Sequence, residues 1–344
     1  MTASTHPRIQ PVDRALEPAL RARVDGKAKP PGSLGRIEDL AVQLGLIRNS
    51  LAPKVERVVL LVFAGDHGLT EEGVSRYPAS VTAAMVATFL AGRASVNAFA
   101  AAAGVEVRVV DAGVAADLPA HPDLIAAKIR AGTRNATREP ALTRMEVDTA
   151  LARGAELAVS AIMAGADAIA IGEMDIGNTA SAALIMHRLA PAALDECVGA
   201  GAGQDEAGMV RKRAALARAA SRSAATHPHE VLSEFGGCEI VMMAGAVLGA
   251  AAQRRPILVD GFIASAAALA AIRLEGAARD YCVFAHRSAE RGHARLLEAV
   301  DAQPLLALDM RLGEGTGAVL AAPLLRAAAR LLSDVADLSE VVPA

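Results

Sequence analysis

The sequence predicts an α/β protein organised on a parallel sheet, and three observations lead to that fold class. Five short apolar runs, at 57–64, 105–111, 167–172, 256–261 and 281–285, alternate with longer segments of helical spacing. The first, Arg57-Val58-Val59-Leu60-Leu61-Val62-Phe63-Ala64, is apolar almost throughout and rich in β-branched residues, as a strand covered on both faces should be. The runs end at Gly65, Gly113, Glu173, Asp260 and His286, and open α/β sheets bind ligands outside the carboxyl ends of their strands.

Composition narrows the class further. The 344 residues suffice for one large domain or two ordinary ones, and 53% are hydrophobic, with no Trp and two Tyr. Such a core is built from aliphatic side chains and close helix contacts. A net charge of −3, from 35 basic and 38 acidic residues without long blocks of one sign, gives no footprint for nucleic acid or an anionic membrane. Cys197, Cys238 and Cys282 are isolated and odd in number, which points to a reducing cytoplasm. Residues 1–8 lack an apolar signal core, and the apolar segments 240–252 and 262–272 fall short of the roughly 20 residues that span a bilayer. The expectation is a cytoplasmic protein without a membrane partner.

Taken in order, residues 11–24 form a polar helix candidate. Lys29-Pro30-Pro31-Gly32-Ser33-Leu34-Gly35-Arg36 is a turn-rich stretch, and helical spacing follows over 37–50. After the first strand, Gly65-Asp66-His67-Gly68 offers Asp66 either to a ligand or to the turn itself. Residues 77–85 lead into a helix predicted to run to about Ala103, capped by Ser80 or Thr82, with Val81, Met85 and Phe89 on one face. The strand ending at Gly113 completes a right-handed β-α-β unit. Residues 115–138 read as an irregular insertion or edge hairpin.

Helical spacing over 144–164 precedes the third strand, which is followed by Glu173-Met174-Asp175-Ile176-Gly177-Asn178-Thr179-Ala180 and a helix over 181–189. A glycine-bearing turn between strand and helix offers backbone donors and a helix dipole to a phosphate, or is simply a helix cap. Glu173, beside it, suits the hydroxyls of a sugar. Gly199-Ala200-Gly201-Ala202-Gly203 follows no strand and lacks dinucleotide spacing. Lys212, between Arg211 and Arg213 on a polar helix, reads as a solvated lysine. Phe235-Gly236-Gly237-Cys238-Glu239 opens a helix through Ala251 whose small residues permit close packing, and another helix covers 263–274. In His286-Arg287-Ser288-Ala289-Glu290-Arg291-Gly292-His293 the histidines match no common zinc spacing and Gly292 interrupts them, so no metal is expected. Finally, Arg311-Leu312-Gly313-Glu314-Gly315-Thr316-Gly317-Ala318 holds one carboxylate between glycines ahead of a helix over 319–332. Glu314 either faces a ligand or is a solvated acid at a helix N-terminus.

Together, the segments 29–36, 65–68, 172–179, 236–249, 258–270, 286–290 and 311–318 resemble the signature blocks of the nicotinate-nucleotide–dimethylbenzimidazole phosphoribosyltransferase family, in order and over nearly the whole chain. The resemblance implies a homodimer with a three-layer αβα Rossmann-like parallel sheet and a smaller helical domain. That domain is formed by residues 1–50 and the C-terminal part, 51–310 form the large domain, and 311–344 hold the catalytic loop and last helix. It implies transfer of the 5-phosphoribosyl group from nicotinate mononucleotide to 5,6-dimethylbenzimidazole, giving α-ribazole 5′-phosphate for the lower ligand of cobalamin, with neither cofactor nor metal. By residue-wise match Glu314 is the general base. Glu173, Gly177, Asn178, Thr179, Gly201, Gly203, Lys212, Asp260 and Gly261 belong to the donor site, with Asp66 at the same sheet edge. Tyr77, Met85 and Leu312 line the acceptor pocket. Asp175 stands where the family usually has glycine, inside the implied phosphate loop, where an acid facing the phosphate would be repulsive, and a glutamine common near Ala84 or Met85 is absent, leaving an apolar wall. The alternatives are transfer to another aromatic acceptor, such as adenine, another benzimidazole or a phenol, and a catalytically silent nucleotide-binding homologue. Retention of Glu314 argues against silence.

Overall fold

The computed structural model describes residues 7–190, 192–201 and 203–342; Ala202 of the glycine-rich loop lies outside them. In chain order the N-terminal helices α1 (Glu17–Asp25) and α2 (Arg36–Arg48) precede β1 (Val58–Gly65). Next come α3 (Ser80–Leu90), α4 (Ser95–Ala103), β2 (Glu106–Gly113), β3 (Leu124–Ala126), α5 (Arg144–Met163) and β4 (Ala168–Met174). The helices α6 (Asn178–Leu189), α7 (Leu194–Cys197), α8 (Glu206–Arg222), α9 (Pro228–Phe235) and α10 (Cys238–Ala252) separate β4 from β5 (Ile257–Val259). The chain ends with α11 (Phe262–Leu274), β6 (Cys282–Phe284), α12 (His293–Ala299), α13 (Thr316–Ser333) and α14 (Leu338–Val341).

Among the described residues the strands make one six-stranded sheet in the order β3-β2-β1-β4-β5-β6, parallel at every pairing. All eight residues of β1 are buried, as its apolar run requires. Helices α10 and α11 pack on the sheet with α5, α6 and α9 against them, and α13, α3 and α4 also contact its strands, with α2 packed on α13. The chain ends are tied: Ala28 N donates to Ala336 O at 2.9 Å, and Lys27 pairs with Asp337 at 2.9 Å. Helix α13 touches α1 and α2 as well as β1, β4 and β5, so the C-terminal segment serves both the terminal helices and the sheet.

Three expectations change. Residues 115–138 contain no hairpin: β3 joins the edge in parallel, its register Val109↔Leu124 to Asp111↔Ala126, and three residues after two prolines are too few to show periodicity. The helix predicted to run to Ala103 is two helices, because Gly92 takes a left-handed φ of 69° and Ala94 N then donates to Asn97 Oδ1 at 3.1 Å to start α4. The stretch Ser80–Ala103, 24 residues and apolar enough for a membrane span, is thus interrupted by a turn. Neither Ser80 nor Thr82 caps α3, whose N-cap is Ala79 without a side-chain bond.

The fold places the site through its topology. Strand order reverses between β1 and β4, which are neighbours paired Phe63↔Glu173 and Ala64↔Met174. The crevice outside their carboxyl ends is the switch point where such sheets take ligands.

Candidate active site

Strand β4 continues two residues beyond its predicted end, so Glu173 is a strand residue and its side chain is buried. Asn178 Nδ2 donates to Glu173 Oε2. The chain then turns at Gly177, in a left-handed conformation of φ 103°, and enters α6. Gly177, Asn178 and Thr179 therefore present the first turn of a helix to a cleft of about 340 Å³.

Below this turn lies Lys212, 1% exposed despite its basic neighbours on α8. Its Nζ donates to Thr179 Oγ1 at 2.8 Å and to Gly199 O at 2.9 Å. The reading as a solvated lysine is corrected: the helix turns this cation inward, onto the first turn of α6. Burial lowers its pKa to about 8, against the opposing charge of Glu290.

The opposite wall is the loop before α13. Gly313, Glu314 and Gly315 are successively left-handed, at φ 85°, 63° and 82°, a conformation costly for glutamate and free for its neighbours. Glu314 N donates to Glu173 O at 3.1 Å. A Cβ on Gly172 would stand 2.4 Å from Gly315 N, so glycine in β4 lets the loop lie directly on the strand. Asp260, at the end of β5, accepts from Ala318 N at 3.0 Å and caps α13. Glu314 is buried; the Val96 N–H donates to its carboxylate, while Oε2 has no partner. Burial raises its pKa, helped by the charge of Asp260 and opposed by the Val96 N–H. Desolvation thus outweighs the stabilisation that backbone donors near a helix N-terminus give a carboxylate.

Residues Tyr77, Val81, Met85 and Leu312 complete the cleft between the turn at Gly177 and Glu314, with Tyr77 and Leu312 about half exposed. Gly201, Asp260 and Gly261 also line it. Three predicted residues do not: Lys212, which lies beneath Thr179, and Asp66 and Gly203. Asp66 is buried behind the sheet edge, its Oδ2 accepting from Ala115 N at 2.8 Å, so it organises the loop. Gly203 belongs to an adjoining depression with Gly199, Glu290, Arg291 and Arg311. The side chain of Asp175 is buried in a contact with His67 Nε2 at 2.9 Å. His286, Glu290 and His293 do not bring three ligand atoms together among the described residues. His293 Nδ1 accepts from Ser288 N at 2.8 Å, its Nε2 lies 2.9 Å from Ser265 Oγ, and burial lowers its pKa to about 3. Sequence reasoning missed Gln204 and Arg311 as cleft walls; Gln204 is placed by a bond from its Nε2 to Gly73 O, 131 residues away, which leaves no local signal.

Comparison with known proteins fits this geometry. A family model described as a phosphoribosyltransferase matches residues 9–342. The chain belongs to this phosphoribosyltransferase family. The nicotinate-nucleotide–dimethylbenzimidazole phosphoribosyltransferase of Cupriavidus taiwanensis is 52% identical over 334 residues, 97% of this chain and 96% of the relative. That of Chloroflexus aurantiacus is 43% identical over 342 residues, 99% and 97% of the two chains. The crystal structure of the enzyme so named from Thermus thermophilus superposes with a TM-score of 0.91 at 43% identity, covering 96% of this chain and 98% of that one.

In this phosphoribosyltransferase Glu173 is held neutral. Burial is the main cause, reinforced by the charges of Asp260, Glu239 and Glu314 and opposed by Asn178, and its pKa rises to about 8. The unfolded chain releases this proton near the ordinary value of 4.5. Between the two values the folded state binds more protons, so stability is full in acid and declines as pH rises towards 8. Glu173→Gln, which cannot ionise, is expected to reduce the stability lost between pH 5 and pH 9 by on the order of a few kcal/mol. Urea denaturation across that range checks it; an unchanged pH profile would show that Glu173 ionises freely.

Proposed function

We propose that this phosphoribosyltransferase moves the 5-phosphoribosyl group of nicotinate mononucleotide onto 5,6-dimethylbenzimidazole, releasing nicotinate and α-ribazole 5′-phosphate. The relatives named for that activity support it, and one observation in this chain carries it. The unpartnered Oε2 of buried Glu314 and the helix N-terminus at Gly177, Asn178 and Thr179 border the same cleft, with an apolar wall between them.

The donor phosphate takes the N-terminus of α6, where free backbone N–H groups and the Lys212 cation beneath Thr179 favour an anion. Glu173, neutral at pH 7, can both donate to and accept from ribose hydroxyls. The donor's pyridinium is bonded to the anomeric carbon, and leaving as a neutral ring cancels its charge, so departure needs no general acid. The benzimidazole attacks through one ring nitrogen while Glu314 removes the proton from the other. Attack from the face opposite the leaving ring inverts the β-nucleotide to the α-product. Val81 and Met85 present an apolar surface to the acceptor ring, and fixing two reactants in one cleft supplies much of the acceleration. We further propose a cytoplasmic homodimer, in which a partner surface covers Tyr77 and Leu312.

Product analysis with nicotinate mononucleotide and separate acceptors, namely 5,6-dimethylbenzimidazole, benzimidazole, adenine and a phenol, tests the reading. Turnover is expected to be highest with dimethylbenzimidazole. Preference for another base would reassign the acceptor, and no product with any would overturn transfer.

A further inference from the structure

Behind the phosphate loop, side chains from three elements meet out of contact with solvent. His67 follows β1, Asp175 follows β4 and Glu239 stands in the first turn of α10, and each side chain is at most 1% exposed. His67 Nε2 is 2.8 Å from Glu239 Oε1 and 2.9 Å from Asp175 Oδ2. One donor atom from each residue lies within 4.8 Å of the others. Glycine leaves room for this: a Cβ at Gly237 would stand 2.3 Å from Glu239 Oε2, and one at Gly65 2.8 Å from the same atom.

The cluster lacks positive charge. One Nε2–H can point at only one oxygen, and Glu239 takes it, leaving both oxygens of Asp175 and Oε2 of Glu239 buried without a donor. Even an imidazolium balances one of two carboxylates. An uncompensated buried carboxylate is costly enough that proteins pair it, protonate it or give it a metal.

We infer that His67, Asp175 and Glu239 form a binding site for a divalent transition metal such as Mn²⁺ or Zn²⁺, through His67 Nε2 and one oxygen of each carboxylate. Imidazole with carboxylates selects such ions over Ca²⁺ and Mg²⁺, which prefer all-oxygen shells. Neighbouring ligands on bonds of about 2.1 Å in an octahedral shell stand about 3 Å apart, close to the nitrogen–oxygen distances already present. The ion replaces the Nε2 proton and balances both carboxylates. It ties β1, β4 and α10 together beneath the phosphate loop, a structural role that does not depend on the proposed phosphoribosyl transfer. With the ligands enclosed, loading needs a transient opening of the loop.

The test is titration of the full-length, chelator-treated protein with Mn²⁺ alone, following free Mn²⁺ by electron paramagnetic resonance, and with Zn²⁺ alone by calorimetry. One equivalent of at least one ion is expected to bind and raise Tm, and the bound Mn²⁺ spectrum should show coupling to a single ¹⁴N. Asp175→Asn, close in shape, should weaken binding roughly tenfold or more. If that variant fails to fold, the ¹⁴N coupling in the wild-type protein decides. Binding of neither ion at millimolar concentration would overturn the inference, as would undiminished affinity in folded Asp175→Asn or Mn²⁺ bound without nitrogen coupling. A protein that binds neither ion but shows a His67 imidazolium by NMR has a proton in the site instead.

Discussion

Glu314→Gln is expected to lower kcat by about 10²–10⁴-fold, the ordinary contribution of a positioned general base, while the affinity for nicotinate mononucleotide changes little. The amide keeps the size of the side chain and the left-handed loop that Gly313 and Gly315 support, but it cannot take a proton. The donor's phosphate and ribose are proposed to bind at Gly177, Thr179 and Glu173, so donor binding should survive. Steady-state kinetics with calorimetric donor binding separates the two effects, and near-normal turnover in the variant would remove Glu314 from the mechanism. pH adds a second readout. Burial raises the Glu314 pKa, so the carboxylate form is lost from a higher pH downward than for an exposed glutamate. Wild-type kcat should fall on the acid side, and the residual rate of Glu314→Gln should lack that limb.

The largest expected loss of stability lies far from the cleft, where α5 crosses α10. A Cβ on Gly154 would stand 1.9 Å from Met242 O, and one on Gly245 2.1 Å from Leu151 O. Both obstacles are backbone, which cannot rotate aside. In an open helix, replacing glycine by alanine stabilises by up to about 1 kcal/mol; here overpacking reverses the sign. Gly154→Ala is expected to lose about 3 kcal/mol, the upper part of the usual overpacking range. Gly276→Ala, with nothing within 4 Å of the added carbon, is the control. Equal urea midpoints for the two variants would show that the helices separate without cost.

How much of this was legible in the sequence varies with the locality of the signal. Strands β1 and β4 announce themselves because burial on both faces demands uninterrupted apolar residues, and helices α5, α10 and α11 show sustained spacing. β3 escaped, since three edge residues carry no period. The break at Gly92 escaped because apolar residues continue across it, and one glycine is tolerated in many helices. Within the site, Glu314, Gly177 and Asn178 stood in loops whose glycines mark unusual backbone, and the structure brings them to one cleft. For Lys212 and Asp175 the neighbours in sequence were poor guides, although the resemblance had set Lys212 in the donor site. Arg211 and Arg213 suggested solvent for a lysine that the helix turns inward, and the loop around Asp175 left open what its acid faces, which is His67.

By itself the sequence determined the class of fold, the strand ends where chemistry gathers, and a carboxylate set between glycines. These follow from short-range rules: side-chain period, the backbone freedom of glycine, and the need of a doubly covered strand to be apolar throughout. Only the tertiary structure decided what each polar group faces. The 3-2-1-4-5-6 strand order brings β1 and β4 side by side, sets Glu314 over the backbone of Gly172, and closes His67, Asp175 and Glu239 into one buried cluster. The charge state of a buried group depends on desolvation and on neighbours distant in the chain, and neither is written in its local sequence.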